Sequence, residues 1–120
     1  MNTRRQGAAY EGLAEQYLIG LGAKLLERNY RALGAEIDRI VRLDGVIVFV
    51  EVKQRTTGRY GSPGAAVTLK KQAQISRAAL MYLQQNHLLD ASARFDVVEI
   101  SDDGIRHLRS AFPFRGGYKD

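Results

Sequence analysis

Two residues, Asp44 and Gly45, constrain this chain more than any others, because they separate two apolar runs, residues 35–43 (AEIDRIVRL) and 46–53 (VIVFVEVK). A type I′ turn needs positive φ at both central positions, which Asp-Gly supplies cheaply, so the runs are expected to fold back as a β-hairpin. With a two-residue loop, Leu43 faces Val46, Val41 faces Val48 and Ile40 faces Phe49. Continuing the register sets Asp38 opposite Glu51 and Glu36 opposite Lys53. Directly opposed side chains have Cβ atoms about 4.5–5.5 Å apart, so the two carboxylates repel unless something positive lies between them. A three-residue loop with a bulge would shift the parity and remove that pairing. Alternation also carries Glu51 and Lys53 along the face begun by Ile47 and Phe49, where more apolar surface would be expected.

Around this hairpin the chain divides readily. Tyr10, Leu13, Ala14, Tyr17, Leu18 and Leu21 recur at helical spacing, predicting a helix from residue 4 to about 21, with Thr3 as N-cap and Gly22 as stop. Residues 23–30 suit a strand through Leu25 and Leu26. Residues 54–66 (QRTTGRYGSPGAA) read as a loop carrying Arg55, Arg59 and Tyr60. A second helix is expected over 69–86, capped by Thr68, with Ile75, Ala79, Tyr82 and Leu83 on its apolar stripe and Gln72 extending it. Lys70 and Lys71 near its start oppose the helix dipole, which suggests phosphate binding, while solvated surface lysines are the plainer alternative. Residues 94–101 and 105–112 form another hairpin across Asp102, Asp103 and Gly104, and 115–120 a polar tail. Residues 1–114 are thus expected to be one α/β domain with a central mixed β-sheet flanked by helices. Tyr17 and Tyr82 suit the core, His87 a helix C-terminus, and Asp96 and Glu99 structural or exposed positions.

Composition narrows the chemistry. The chain has 120 residues and no cysteine, which excludes disulfides and thiolate metal sites; its two histidines lack metal-ligand spacing. Any metal would need oxygen ligands. The start is basic without an apolar stretch, and the longest aliphatic and aromatic run, 46–50, is far too short to cross a bilayer, so a soluble, cytoplasmic protein without membrane contact is expected. Eighteen Lys and Arg against thirteen Asp and Glu give a net charge of +5, which favours a polyanionic partner.

A carboxylate pair held together by a hairpin suits a hard cation, since magnesium is commonly bound by one or two carboxylates, with water and substrate phosphate completing its shell. Lys53, on the same face as Glu51, is placed to orient or help deprotonate an attacking water, or to offset charge on the phosphate. Asp38 followed by Glu51-Val52-Lys53 at the end of the next strand, with Glu11 and Gln72 on flanking helices, resembles the PD-(D/E)xK superfamily of restriction endonuclease-like nucleases. Nearly the whole chain resembles the uncharacterised bacterial YraN-like family, through GAAYEGLAEQYL, ERNYR, GAEIDRIV, VFVEVKQR and RFDVV. In size and order of elements it is similar to archaeal Holliday junction resolvases.

The resemblance implies a nuclease with Asp38 and Glu51 as ligands of Mg2+ or Mn2+, Lys53 as catalytic lysine, Glu11 as auxiliary carboxylate and Gln72 as a substrate or water contact. Arg55, Arg59, Tyr60, Lys70 and Lys71 would contact nucleic acid, DNA rather than RNA and branched DNA among the candidates. The dimeric junction-resolving relatives suggest a homodimer by analogy. Ile37, not proline, precedes Asp38, a departure from the formal motif. The same residues also admit a plainer account: Asp38 and Glu51 as solvated carboxylates at a sheet end, Lys53 in a salt bridge with Glu36, Glu11 capping or pairing with Arg31 or another base. A non-catalytic adaptor on a nuclease-like scaffold is the alternative function.

Overall fold

The computed structural model describes residues 3–55 and 67–116, with side chains from Gly7 onward. Five strands form one sheet in the order β1 (Lys24–Ala32), β2 (Ala35–Leu43), β3 (Val46–Gln54), β4 (Ala93–Ser101), β5 (Gly104–Phe112). Three neighbouring pairs are antiparallel, and β3 with β4 is parallel. A parallel pair needs a long crossover. Helix α2 (Leu69–Gln85) lies within that connection, and α1 (Thr3–Gly20) precedes the sheet. The mixed sheet between helices expected from sequence is the architecture observed.

The Asp44-Gly45 turn forms as expected, with φ of 53° and 79°. The register follows it: Leu43 pairs with Val46, Val41 with Val48 and Ile40 with Phe49. The expected strand at Leu25 and Leu26 extends to Ala32 and joins β2 through a second tight turn at Leu33-Gly34, with φ of 53° and 80°. Leu is a poor choice for a left-handed position, so composition alone does not mark this hairpin.

The strands' alternation gives the sheet two apolar faces. One, built around Ile40, Ile47, Phe49 and Phe95, is covered by Ile75, Ala78, Ala79, Tyr82 and Leu83 of α2. Phe49 meets Tyr82 edge-on at a centroid distance of 6.0 Å and Phe95 at 5.5 Å, good aromatic packing geometry. The other face, with Val41, Val48, Val50 and Val98, is covered by Ala14 and Leu18 of α1. Leu13 and Leu21, assigned to the α1 stripe from sequence, face outward instead. Ala14 is fully buried against the strands, and beside it Glu15 is buried in ion pairs with Arg28 and Arg39.

Gly22, with φ of 101°, stops α1 as expected; the Ala23 amide returns to the Leu18 carbonyl and the Gly22 amide to Ile19. Thr68 caps α2 through its hydroxyl, which accepts from the Lys71 amide at 3.1 Å. Arg115, expected to open a polar tail, is tied to α2: its amide donates to Ser76 Oγ and its guanidinium to Gln72. No helix among the described residues is long and apolar enough to cross a membrane.

Candidate active site

The hairpin's regular ladder runs from the turn to the Arg39–Val50 pair. At the next position Asp38 inserts its side chain where backbone pairing would continue, Oδ2 accepting from the Val52 amide at 2.8 Å. Ile37 and Ile40, three residues apart, both pack toward α2, which strict alternation forbids, so β2 reverses its parity around Asp38. This irregularity brings Asp38 to the mouth of a cavity of about 460 Å3 between β2, β3 and the start of α2. Glu11, Asp38, Glu51, Lys53, Lys70 and Lys71 all line it. Six of the ten residues assigned a functional role from sequence therefore converge.

Glu51 is 3% exposed, and its Oε2 has no hydrogen-bond partner among the described residues. Burial pushes its carboxyl up to about 8, helped by the charge of Asp38 and opposed by Lys71 and Lys53. Asp38 is pushed up to about 6 by burial, the Val52 hydrogen bond pulling down and Glu11 and Glu36 adding to the rise. The expected repulsion between the two carboxylates is thus present. Lys71 Nζ lies 3.7 Å from Glu51 Oε1. Lys53 falls below the usual lysine range through burial and the neighbouring Lys71 ammonium. All the candidate metal donors are hard carboxylate oxygens, and one of them is buried without a partner, so the set fits a divalent oxygen-seeking cation. Among the described residues, no three acidic or histidine side chains are grouped to enclose a metal by themselves.

The remaining assignments resolve differently. Glu11 does pair with a base, though it is Arg39 at 3.1 Å and not Arg31, and it also accepts from Asn29 at 2.8 Å. Glu36 pairs with Arg31 at 2.9 Å, which leaves Lys53 to the cavity. Gln72 is buried away from the cavity lining: its amide donates to the Val67 carbonyl and its oxygen accepts from Arg115. Those bonds satisfy it as a structural link. Arg55 folds back on β4, its Nε 3.2 Å from Glu99 Oε1 and its Nη2 donating to Ser101 Oγ at 3.3 Å. Arg59 and Tyr60 lie outside the described residues.

Two polar clusters escaped the sequence reading. Glu15 accepts from Arg28 and Arg39, both at 2.8 Å, and the Arg28 hydrogen bond leads in holding its carboxyl well below the usual range. Spacing carried a signal, since Glu11 and Glu15 are one turn apart and face the same base. On β4 and β5, fully buried Asp96 contacts His107 Nε2 at 2.7 Å, and His107 Nδ1 meets the Tyr17 hydroxyl at 2.9 Å. His107 thus bridges Asp96 and the Tyr17 hydroxyl through its two ring nitrogens. Burial alone would raise Asp96, but the bonds from His107, Arg94 and the Ser110 amide together hold it below the ordinary value. The structural role expected of Asp96 holds; exposure does not.

Known proteins provide a separate comparison. The model of "Uncharacterised protein family UPF0102" matches residues 10–100. A UPF0102 protein of Geobacter metallireducens is 48% identical over 116 residues, covering 93% of this chain and 95% of that protein. One of Clostridioides difficile is 40% identical over 114 residues, covering 93% of this chain and all (100%) of that protein. The crystal structure of SSO0001 superposes with a TM-score of 0.49 at 21% identity, covering 94% of this chain and 54% of that one, so the chain spans about half its length. With a family match over most of its length and relatives similar from end to end, the chain belongs to the UPF0102 family, the YraN-like group its motifs resemble.

Proposed function

We propose that the chain is a metal-dependent nuclease that hydrolyses phosphodiester bonds, with DNA the favoured substrate. The observation that carries this reading is Glu51, a nearly buried carboxylate with an unpartnered oxygen beside a second raised carboxylate, both on a cavity edged by lysines. Burying such a pair is costly unless something else shares it. Asp38 and Glu51 would hold Mg2+ or Mn2+, which when bound supplies Lewis-acid polarisation of the scissile phosphate. Asp38 is kept in place by the Val52 amide, so its second oxygen is presented to the cavity without loss of the first contact. Lys53, fixed on β3 by the parallel ladder with β4, orients the attacking water and offsets charge building on the phosphate. Lys70 and Lys71, at the positive end of α2, hold adjoining phosphates. Glu11, clamped by Arg39 and Asn29, closes the far wall as the auxiliary carboxylate.

The test is incubation of labelled single-stranded, duplex and four-way-junction DNA with Mg2+, Mn2+ or EDTA, beside Glu51→Gln. Cleavage that needs metal and disappears in the variant supports a nuclease; equal, metal-independent cleavage in both refutes it. The second reading, a non-catalytic nucleic-acid adaptor, is favoured by the engagement of Arg55 and Gln72 in structural bonds and by the two-carboxylate donor set. It predicts binding without turnover. In either case phosphate contacts dominate, and Lys70→Ala lowers the slope of log affinity against log salt by about one. A homodimer is part of the proposal, to be read from sedimentation with and without DNA.

A further inference from the structure

Lys71 is in an awkward place. It stands in the first turn of α2, where the helix dipole disfavours a cation, and its ammonium is also close to that of Lys53. Lys70, its neighbour in sequence, is exposed, whereas the Lys71 side chain turns inward to Glu51 Oε1 at 3.7 Å. That separation is well beyond the roughly 2.7–2.9 Å of a charge-assisted hydrogen bond. The contact therefore supplies charge without saturating the carboxylate, and Glu51 Oε2 has no partner among the described residues. Thr68 fixes the Lys71 amide, so its backbone is held while the flexible four-carbon stem can turn. Lys53 has less freedom, since its backbone is held in the parallel ladder with β4.

Taking Asp38 and Glu51 as cation ligands, as proposed above, we infer that Lys71 is an internal counter-ion, seated on Glu51 while no divalent cation is bound and released to a phosphate oxygen of the nucleic acid when one binds. The cation and the polyanion then help each other. Each displaces the same intramolecular contact, so whichever arrives first removes a cost to the other, and the coupling is reciprocal. Arg109, exposed on β5 two strands away from β3 and outside the cavity lining, is the control.

The experiment is Mg2+ titration calorimetry on the full chain at low salt and pH 8.5, with wild type, Lys71→Ala, Lys71→Gln and Arg109→Ala. Both Lys71 variants are expected to bind Mg2+ about fivefold more tightly than wild type, the scale of an ion-pair competitor removed, with Arg109→Ala unchanged. Anisotropy of a labelled phosphorothioate oligonucleotide provides the second readout: Mg2+ strengthens binding to wild type and to Arg109→Ala, and this gain is lost in the Lys71 variants. Thermal unfolding establishes that each variant folds. If the Lys71 variants bind Mg2+ equally or more weakly, the counter-ion role is overturned while Asp38 and Glu51 remain ligands. If no protein binds Mg2+, the inference falls together with the metal reading.

Discussion

Replacing Glu51 with Gln separates charge from shape at the most buried point of the site. The wild-type carboxyl rises from an ordinary 4.5 to about 8, mainly through burial. A value raised in the folded state means full stability below the unfolded value, lost as pH climbs through the folded one, because the unfolded chain releases its proton first. Each tenfold step in that equilibrium is about 1.4 kcal/mol, so by pH 7 the wild type has lost about 3 kcal/mol relative to pH 4.5 on account of this group. Glu51→Gln has no proton to release. Urea unfolding in EDTA should therefore show the two proteins nearly equal near pH 5 and the variant about 3 kcal/mol more stable at pH 7, or about 10 °C higher in Tm. Saturating Mg2+ should narrow the gap by stabilising the wild type, by about 2.7 kcal/mol at one hundred times Kd. Parallel pH profiles, or a variant less stable at pH 7, would refute the claim that burial holds Glu51 as a reluctant acid.

Asp38→Ala strands the Val52 amide and should cost about 1–3 kcal/mol in urea unfolding, while Asp38→Asn keeps an acceptor there, spares the fold and abolishes turnover; equal stability of the two variants would deny the hydrogen bond its role. Arg39→Met leaves Glu15 with Arg28 alone and frees Glu11 from its buried partner, so unfolding free energy should drop by about 3–5 kcal/mol at pH 7, and a drop under 1 kcal/mol would show the network to be dispensable.

How much of this was legible depends on the range of each signal. Asp44-Gly45 is a local instruction, and the turn and its register read through correctly as far as Arg39. At Asp38 the side chain replaces the backbone as partner of β3, a choice between two hydrogen bonds that no period-two pattern encodes. The same limit explains Gln72 and Arg115, forty-three residues apart in sequence and joined by a 2.8 Å bond. Helical spacing placed Ile75, Ala79, Tyr82 and Leu83 correctly because α2 is buried along a broad stripe. It misplaced Leu13 and Leu21 because α1 rests on small Ala14 and a charged seam, and hydrophobicity cannot tell a covered leucine from an exposed one. The approach of Glu51 and Lys53 to the cavity was legible from the turn and the alternation of β3, whereas Asp38 reaches it through the irregularity of β2.

The single parallel junction of the sheet sets an order of assembly. β1, β2 and β3 are joined by turns of two residues, so their contacts close short loops, whereas β3 meets β4 only after a crossover that includes all of α2. Loop closure makes such non-local pairing the slow step. The N-terminal meander brings Asp38 and Glu51 together early, with the inner edge of β3 still open to water. Lys71 and the walls that desolvate Glu51 come with α2 and β4. A chain stalled before that step would carry the acidic half of the site without its basic half, its carboxylates still wet and ordinarily acidic, so the unusual protonation of Glu51 should emerge only in the last phase of refolding.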